Sequence, residues 1–300
     1  MSYTDFQQLF EILKAKARIK TVAAVCPEDL ATLEALIQAR REQWCNSLLI
    51  GDREKIVSLL EKLGVSSCEF SMIHAEHANQ AAELAVTAVR EGKADFLMKG
   101  NLDTSVLLKV IVQPDSGLHD QPLMSHLAFF QIPNYHKLMV LTDSGMVLYP
   151  TLDQKKWILQ NAIHTLQKLQ YTEIRIGMLA AVEKVHPKMK ETVEAAAIVN
   201  WATKAFPSSV IVEGPISYDL WMSPDIASKK QYQTQVSGNG DIMVVDQMVT
   251  GNILGKALIL HAGAKMAGVV VGAKVPIALN SRGSSMEEKH LALMLSALLA

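Results

Sequence analysis

Ser281 and Arg282 stand where the apolar run VPIALN (275–280) ends, and a glycine, two serines, Glu287 and Glu288 follow close behind. An arginine just outside a buried strand needs a carboxylate or phosphate partner to justify its place. Asn280, Ser281 and Arg282 together could hold an anion and a reacting carbonyl. The serines also have a structural use: Ser284 with Glu287, or Ser285 with Glu288, matches the SxxE helix-capping box. Two more stretches carry chemistry. KGNLDTS (99–105) sets Lys99, Gly100 and Thr104 at a helix start, where free amides and the dipole favour an anion. It lacks the GxxxxGK spacing of a Walker loop, and Asp103 or Thr104 acting as a cap accounts for the same residues. TGNILGKAL (250–258) offers Gly251 and Asn252 for tight turning and close approach of backbone to ligand, with Lys256 about one turn into the next helix. A helix start that uses a small residue for close packing accounts for it equally.

The elements that position these residues form a regular alternation. TVAAVCP, SLLIGD, EFSMIH, DFLMKG, KLMVLTD, EIRIGML, SVIVEGP, DIMVVD and VPIALN read as nine strands. Most are apolar on both faces, as expected of strands in a parallel sheet covered by helices on each side. Helical segments such as PEDLATLEALIQARREQ (27–43) lie between them, with acids early and arginines late. The fold class is therefore α/β. A proline and an asparagine in QIPNYHKL (131–138) mark the expected boundary between two domains, 1–137 plus 271–300 and 138–270. Ligands of open parallel sheets gather outside the C-terminal strand ends, where all three stretches lie.

The bulk properties narrow the partners. With 29 basic and 30 acidic side chains there is no global field to draw the chain to nucleic acid or an anionic membrane, so an anionic ligand must be met by local charge. Cys26, Cys45 and Cys68 form no CxxC pair, which argues against a disulfide framework or a zinc site and fits a reducing cytoplasm. The N-terminal residues have neither signal-peptide nor transit-peptide character, and no apolar run approaches the roughly 18 residues of a membrane span. The nine histidines show no HExxH pattern; His74 and His77, three apart, read as solvated.

Six segments in order give the chain a likeness. FLMKGNLDTSVLLKVI, DQPLMSHLAFFQIPNYHKLMVLTD, YPTLDQKKWILQNAI, VEGPISYDLWMSP, GDIMVVDQMVTGNILGKAL and VPIALNSRGSSMEEK resemble the phosphate acetyl/butyryltransferase family, and more closely its butyryl branch. The resemblance implies reversible acyl transfer between coenzyme A and inorganic phosphate. It implies two α/β/α domains facing a cleft, in the isocitrate-dehydrogenase-like architecture, and a homodimer or larger homo-oligomer. Coenzyme A and phosphate enter as substrates, with no bound cofactor and no metal. The family's Ser-Arg pair falls on Ser281 and Arg282, and its acid six positions beyond the arginine falls on Glu288, where acetyl-transferring members usually have aspartate. In the implied mechanism Glu288 takes the thiol proton of coenzyme A, Arg282 neutralises the departing phosphate and Ser281 donates a hydrogen bond. Acetyl-specific members have an arginine within the segment that reads PLMSHLAFF here. Leu123, Met124, Ser125 and His126 in its place favour a longer or branched acyl chain, and leave the anion to Arg282, Lys99 and the amides near Gly251. The alternatives are an acetyl-transferring enzyme, a nicotinamide-dependent hydroxythreonine-phosphate dehydrogenase of the same general fold, and a non-catalytic acyl-CoA or acyl-phosphate sensor.

Overall fold

The computed structural model describes residues 2–300. In chain order the elements are α1 (Phe6–Lys14), β1 (Lys20–Val25), α2 (Leu30–Arg41), β2 (Cys45–Gly51), α3 (Arg53–Lys62), β3 (Ser71–His74), α4 (Ala78–Arg90), β4 (Phe96–Lys99) and α5 (Thr104–Ile111). There follow β5 (Ser125–Gln131), β6 (Met139–Thr142), α6 (Leu152–Lys168), β7 (Ile174–Leu179), α7 (Lys190–Ala205), β8 (Val210–Ile216), α8 (Tyr218–Met222), α9 (Pro224–Lys229), β9 (Ile242–Val244) and α10 (Met248–Ala262). The chain closes with β10 (Lys265–Val271), β11 (Ile277–Ala278) and α11 (Met286–Leu299). No helix among the described residues is long and apolar enough to cross a membrane.

These elements group into two compact units, Phe6–Pro122 with Met266–Ala300, and Leu123–Lys265 with a short N-terminal stretch ending at Asp5. In the first unit the strands run in the order β3-β2-β1-β4-β11-β10. The pairs are parallel apart from β10 with β11. All four residues of β4 are buried, as are the last four of β1, which is the signature of strands covered on both faces. On α11 the run from Ala292 to Leu299 is buried, so the C-terminal helix belongs to the core.

In the second unit the order is β5-β6-β9-β7-β8, parallel except for β5 with β6. β6 is buried throughout. A capping box between Thr151 and Gln154 starts α6, and from that helix the buried Lys155 reaches Glu194 at 2.5 Å and also Asp246.

Each of the nine sequence-read strands is present, and two more, β5 and β10, join them. Both added strands pair antiparallel with a neighbour, so the arrangement is mixed rather than wholly parallel.

Candidate functional site

In the first unit two loops leave neighbouring strands. β4 and β11 pair in parallel, Ile277 beside Leu97 and Ala278 beside Met98, so the exits at Lys99 and at Asn280 emerge side by side. Gly100 passes against the end of β1: its N–H donates to Val25 O at 2.9 Å, and a Cβ there would overlap the carbonyl oxygen of Cys26. No larger residue fits this crossing. Lys99 is 4% exposed, and the single hydrogen bond of its ammonium among the described residues is to Gly100 O at 3.2 Å. Burial lowers its pKa, and the charges of Arg282 and Lys289 lower it further, while Asp103 and Asp29 oppose the shift. A buried ammonium without a directly bonded carboxylate is costly, and an incoming anion would relieve that cost. Asp103 holds the N-cap position of α5 but makes no cap bond; Thr104 is the first helical residue.

The loop after β11 carries Ser281 and Arg282, both exposed. Ser281 Oγ accepts from Gly283 N at 3.4 Å, and Arg282 Nη2 donates to Asp103 Oδ1 at 3.0 Å. Asn280 is 4% exposed; its Nδ2 donates to Glu288 O at 3.3 Å, and its buried Oδ1 has no partner among the described residues. The capping box that starts α11 is the Ser285–Glu288 pair: Glu288 N donates to Ser285 Oγ at 3.2 Å and Ser285 N to Glu288 Oε2 at 2.9 Å. Glu288 thus serves the helix start with one carboxylate oxygen. Next to it, Lys289 is 3% exposed and donates to Asp29 Oδ1 at 2.6 Å and Thr32 Oγ1 at 2.8 Å. This ties the first turn of α11 to the cap of α2.

Ser125, His126, Gly251, Asn252 and Lys256 lie in the second unit. Ser125 is fully buried and accepts from Asn161 Nδ2 at 3.0 Å. The backbone N–H of His126 donates to Asp143 Oδ2 at 2.9 Å, and its Nδ1 lies 2.9 Å from Ser144 Oγ. Asp143 also accepts from Gly145 N and Met146 N at 2.9 and 2.8 Å, so one carboxylate organises the whole exit of β6. Gly251 is not in a turn. It lies within α10, where a Cβ would come within 2.7 Å of Asp143 O and 2.9 Å of Ser144 Cα, so its role here is close packing of helix on loop. Asn252 Nδ2 donates to Ser144 O at 3.4 Å. Because α10 begins at Met248, Lys256 sits more than two turns into the helix and is exposed.

Several participants escaped the sequence reading. Asp143 ends the run KLMVLTD that reads as a strand and Ser144 follows it, and an Asp-Ser-Gly exit is itself a signal for bonding to backbone amides. Asp29, Thr32 and Lys289 meet over a separation of 260 residues, and no local pattern announces that. Cys26 has a positive φ of 49°, and burial, with Glu28 adding to it, pushes its thiol up to about 12.

The model of the phosphate acetyl/butaryl transferase family matches residues 52–297. The chain belongs to that family. It is 39% identical over 277 residues to the probable phosphate butyryltransferase of Bacillus subtilis, with 92% of each chain covered. It is 33% identical over 294 residues to the phosphate acetyltransferase of Thermotoga maritima, covering 98% of this chain and 99% of that one. The branched-chain phosphotransacylase of Enterococcus faecalis superposes with a TM-score of 0.84 at 30% identity, covering 94% of this chain and 99% of that one. The protein is accordingly a phosphate acyltransferase enzyme with the phosphotransacylase fold. The family's reaction uses coenzyme A and phosphate as substrates, and a nicotinamide-dependent dehydrogenation is a different reaction.

Proposed function

We propose that this enzyme interconverts a butyryl or branched short-chain acyl-CoA and phosphate with the acyl phosphate and free coenzyme A. Lys99 carries the phosphate half of the reading: it is a buried ammonium with a carbonyl as its bonded partner, beside the strand exit that bears Ser281 and Arg282. In the direction of acyl-CoA synthesis, Glu288 accepts the thiol proton and the thiolate sulfur attacks the acyl-phosphate carbonyl carbon. The carbon–oxygen bond to phosphate then breaks and phosphate leaves with the electron pair. Arg282 and Lys99 take up the charge on the leaving oxygens, and Ser281 donates to the oxyanion or to the phosphate. Glu288 Oε2 already accepts the Ser285 N–H, so Oε1 is the oxygen assigned to the thiol. Thr104 and Gly100 lie on the same exit. Direct transfer between two bound substrates draws on positioning, with no acyl group passing to the protein. The high pKa of Cys26 keeps the thiol nearest Lys99 protonated and unreactive at neutral pH.

Support for the longer acyl chain comes from residues 123–126. Met124, Ser125 and His126 are buried, with the polar pair held by Asn161, Asp143 and Ser144, and the segment has no guanidinium. The Bacillus and Enterococcus names point the same way, whereas the Thermotoga name is an acetyltransferase. Asn252 and Lys256 are assigned to contacts with coenzyme A on the second unit, while Gly251 lets α10 pack against the exit of β6. Thiol release from acetyl-, butyryl- and isobutyryl-CoA, with and without phosphate, tests the reading. Phosphate-dependent release ranked butyryl or isobutyryl above acetyl supports it, and a clear preference for acetyl-CoA refutes the chain-length assignment.

A homodimer is the assembly we assign. α10 exposes Val249, Ile253 and Leu260 on one face, next to Leu148 and Tyr149, whose loop bonds to Met248 N. An apolar stripe of this kind is what a self-complementary interface uses.

A further inference from the structure

One contact works against the site just described. An aspartate at a helix N-cap ordinarily accepts an N–H of the first turn. Asp103 stands at that position of α5 without making the bond. Its Oδ1 accepts instead from Arg282 Nη2 at 3.0 Å, 179 residues away in sequence. Both side chains are 64% exposed, and the turn behind Arg282 is open, since a Cβ on Gly283 would meet nothing within 4 Å. The two loops leave adjacent strands, with Lys99 at the root of one of them. An exposed pair of this kind adds little to stability. What it does is occupy one guanidinium nitrogen, Nη2, and carboxylate and phosphate oxygens compete for the same planar fork.

We propose that Asp103 is an internal competitor for phosphate: its carboxylate holds the Arg282 guanidinium in the substrate-free protein and gives way when inorganic phosphate or acyl phosphate binds. This rests on the assignment of Arg282 to the phosphate. The competition sets the phosphate concentration at which the enzyme works and keeps Arg282 near Lys99 until the substrate arrives. A positioning role for Asp103, in which the carboxylate aims the guanidinium at the ligand, predicts the opposite sign.

Calorimetric titration of inorganic phosphate into the whole protein decides the matter, with Asp103→Asn and Arg282→Ala compared to the unchanged chain. Asparagine is as good a helix cap as aspartate, so the start of α5 is retained. Asp103→Asn is expected to tighten phosphate binding by about two- to five-fold, the range of an exposed ion pair, with the KM for phosphate falling in step. Unchanged or weaker binding in Asp103→Asn, when Arg282→Ala has weakened it, overturns the competitor role and leaves Arg282 in place. Unchanged binding in Arg282→Ala removes the phosphate assignment itself.

Discussion

Replacing Glu288 by glutamine separates the duty that the structure shows for this side chain from the one proposed for it. Its carboxylate closes the capping box of α11 by accepting Ser285 N at 2.9 Å, and it is also the base proposed for the coenzyme A thiol. Glutamine closes the same box through its amide oxygen, so Glu288→Gln should melt within the ±0.5 kcal/mol of an ordinary surface change. Alanine cannot, and should lose about 0.5–1.5 kcal/mol, the net worth of one such hydrogen bond. A positioned base contributes about 10²- to 10⁴-fold, or roughly 2.7–5.5 kcal/mol of barrier at 1.36 kcal/mol per decade. Glu288→Gln should therefore lose that much in kcat for acyl-CoA synthesis while staying folded. The assay is thiol consumption from acyl phosphate and coenzyme A across pH. The deficit should shrink about tenfold per unit as pH approaches the thiol's own pKa, about 8.5 for an unperturbed thiol, because thiolate then forms without help. A variant with unchanged melting, kcat within two-fold of the parent and no pH-dependent recovery would refute the reasoning and leave Glu288 as a cap alone.

Arg282→Ala should lower kcat/KM for acyl phosphate by at least about 10²-fold, as for other donors aimed at developing charge, with its circular dichroism melt unchanged because the side chain is exposed. Lys99→Met should weaken phosphate binding and yet melt higher, by about 1 kcal/mol or more, since it removes a buried charge that has no carboxylate bonded to it; a lower melting temperature would count against the energetic argument. The pH sign follows from the lowered Lys99 pKa, caused first by burial: the folded state sheds this proton before the unfolded one does. The charge costs the fold in full below the folded pKa, and the cost is relieved as pH rises from there towards the ordinary lysine value. The melting gap between parent and Lys99→Met should accordingly narrow in alkali. A thiol reagent on the native protein should label Cys68, the exposed cysteine, and spare the buried Cys26 and Cys45, with activity retained; fast modification of Cys26 would contradict its high pKa. Ile253→Asp should shift the species seen by light scattering from dimer to monomer, and an unmoved mass would exclude that face of α10 as the interface.

The strands were legible where burial and local pattern agree, and were missed where long-range bonds make the difference. β4 and β6 are apolar throughout apart from a terminal Lys99 or Thr142, so period and composition find them. β5 opens on Ser125 and His126, which look like loop residues. They are buried because Asn161, Asp143 and Ser144 meet their polar groups, and that compensation is invisible in a local window. β10 hides behind Gly268 in its middle, a residue that depletes strand propensity. The SxxE pattern near the C-terminus allowed two registers, and the structure chooses Ser285 with Glu288. Gly251 was readable as a glycine that something approaches closely. That the neighbour is the Asp143–Ser144 backbone depends on how α10 lies over the exit of β6.

The charge balance of the whole chain, 29 basic to 30 acidic, conceals the local imbalance that matters. In the first unit Arg282 and Lys289 lie within electrostatic reach of Lys99, with Asp103 and Asp29 in opposition. Lys289 is bonded to Asp29 and Thr32, and Arg282 is held by an exposed carboxylate. The uncompensated charge is therefore that of Lys99, next to the strand exit where Asn280 Oδ1 also lacks a partner among the described residues. Elsewhere in the same unit local rules are met: Asp29 and Asp52 cap their helices, and Gly100 fits a crossing that admits nothing larger. Buried Ser47 and Ser296 hydroxyls in this unit also lack partners among the described residues, so the case for a ligand rests on the charge of Lys99, which costs more to leave unpaired than a neutral oxygen. Phosphate is the ligand proposed to meet that charge, and if it draws Arg282 away from Asp103 its binding should change the exit loops of β4 and β11 together, because the Arg282–Asp103 contact that bridges them is the one given up.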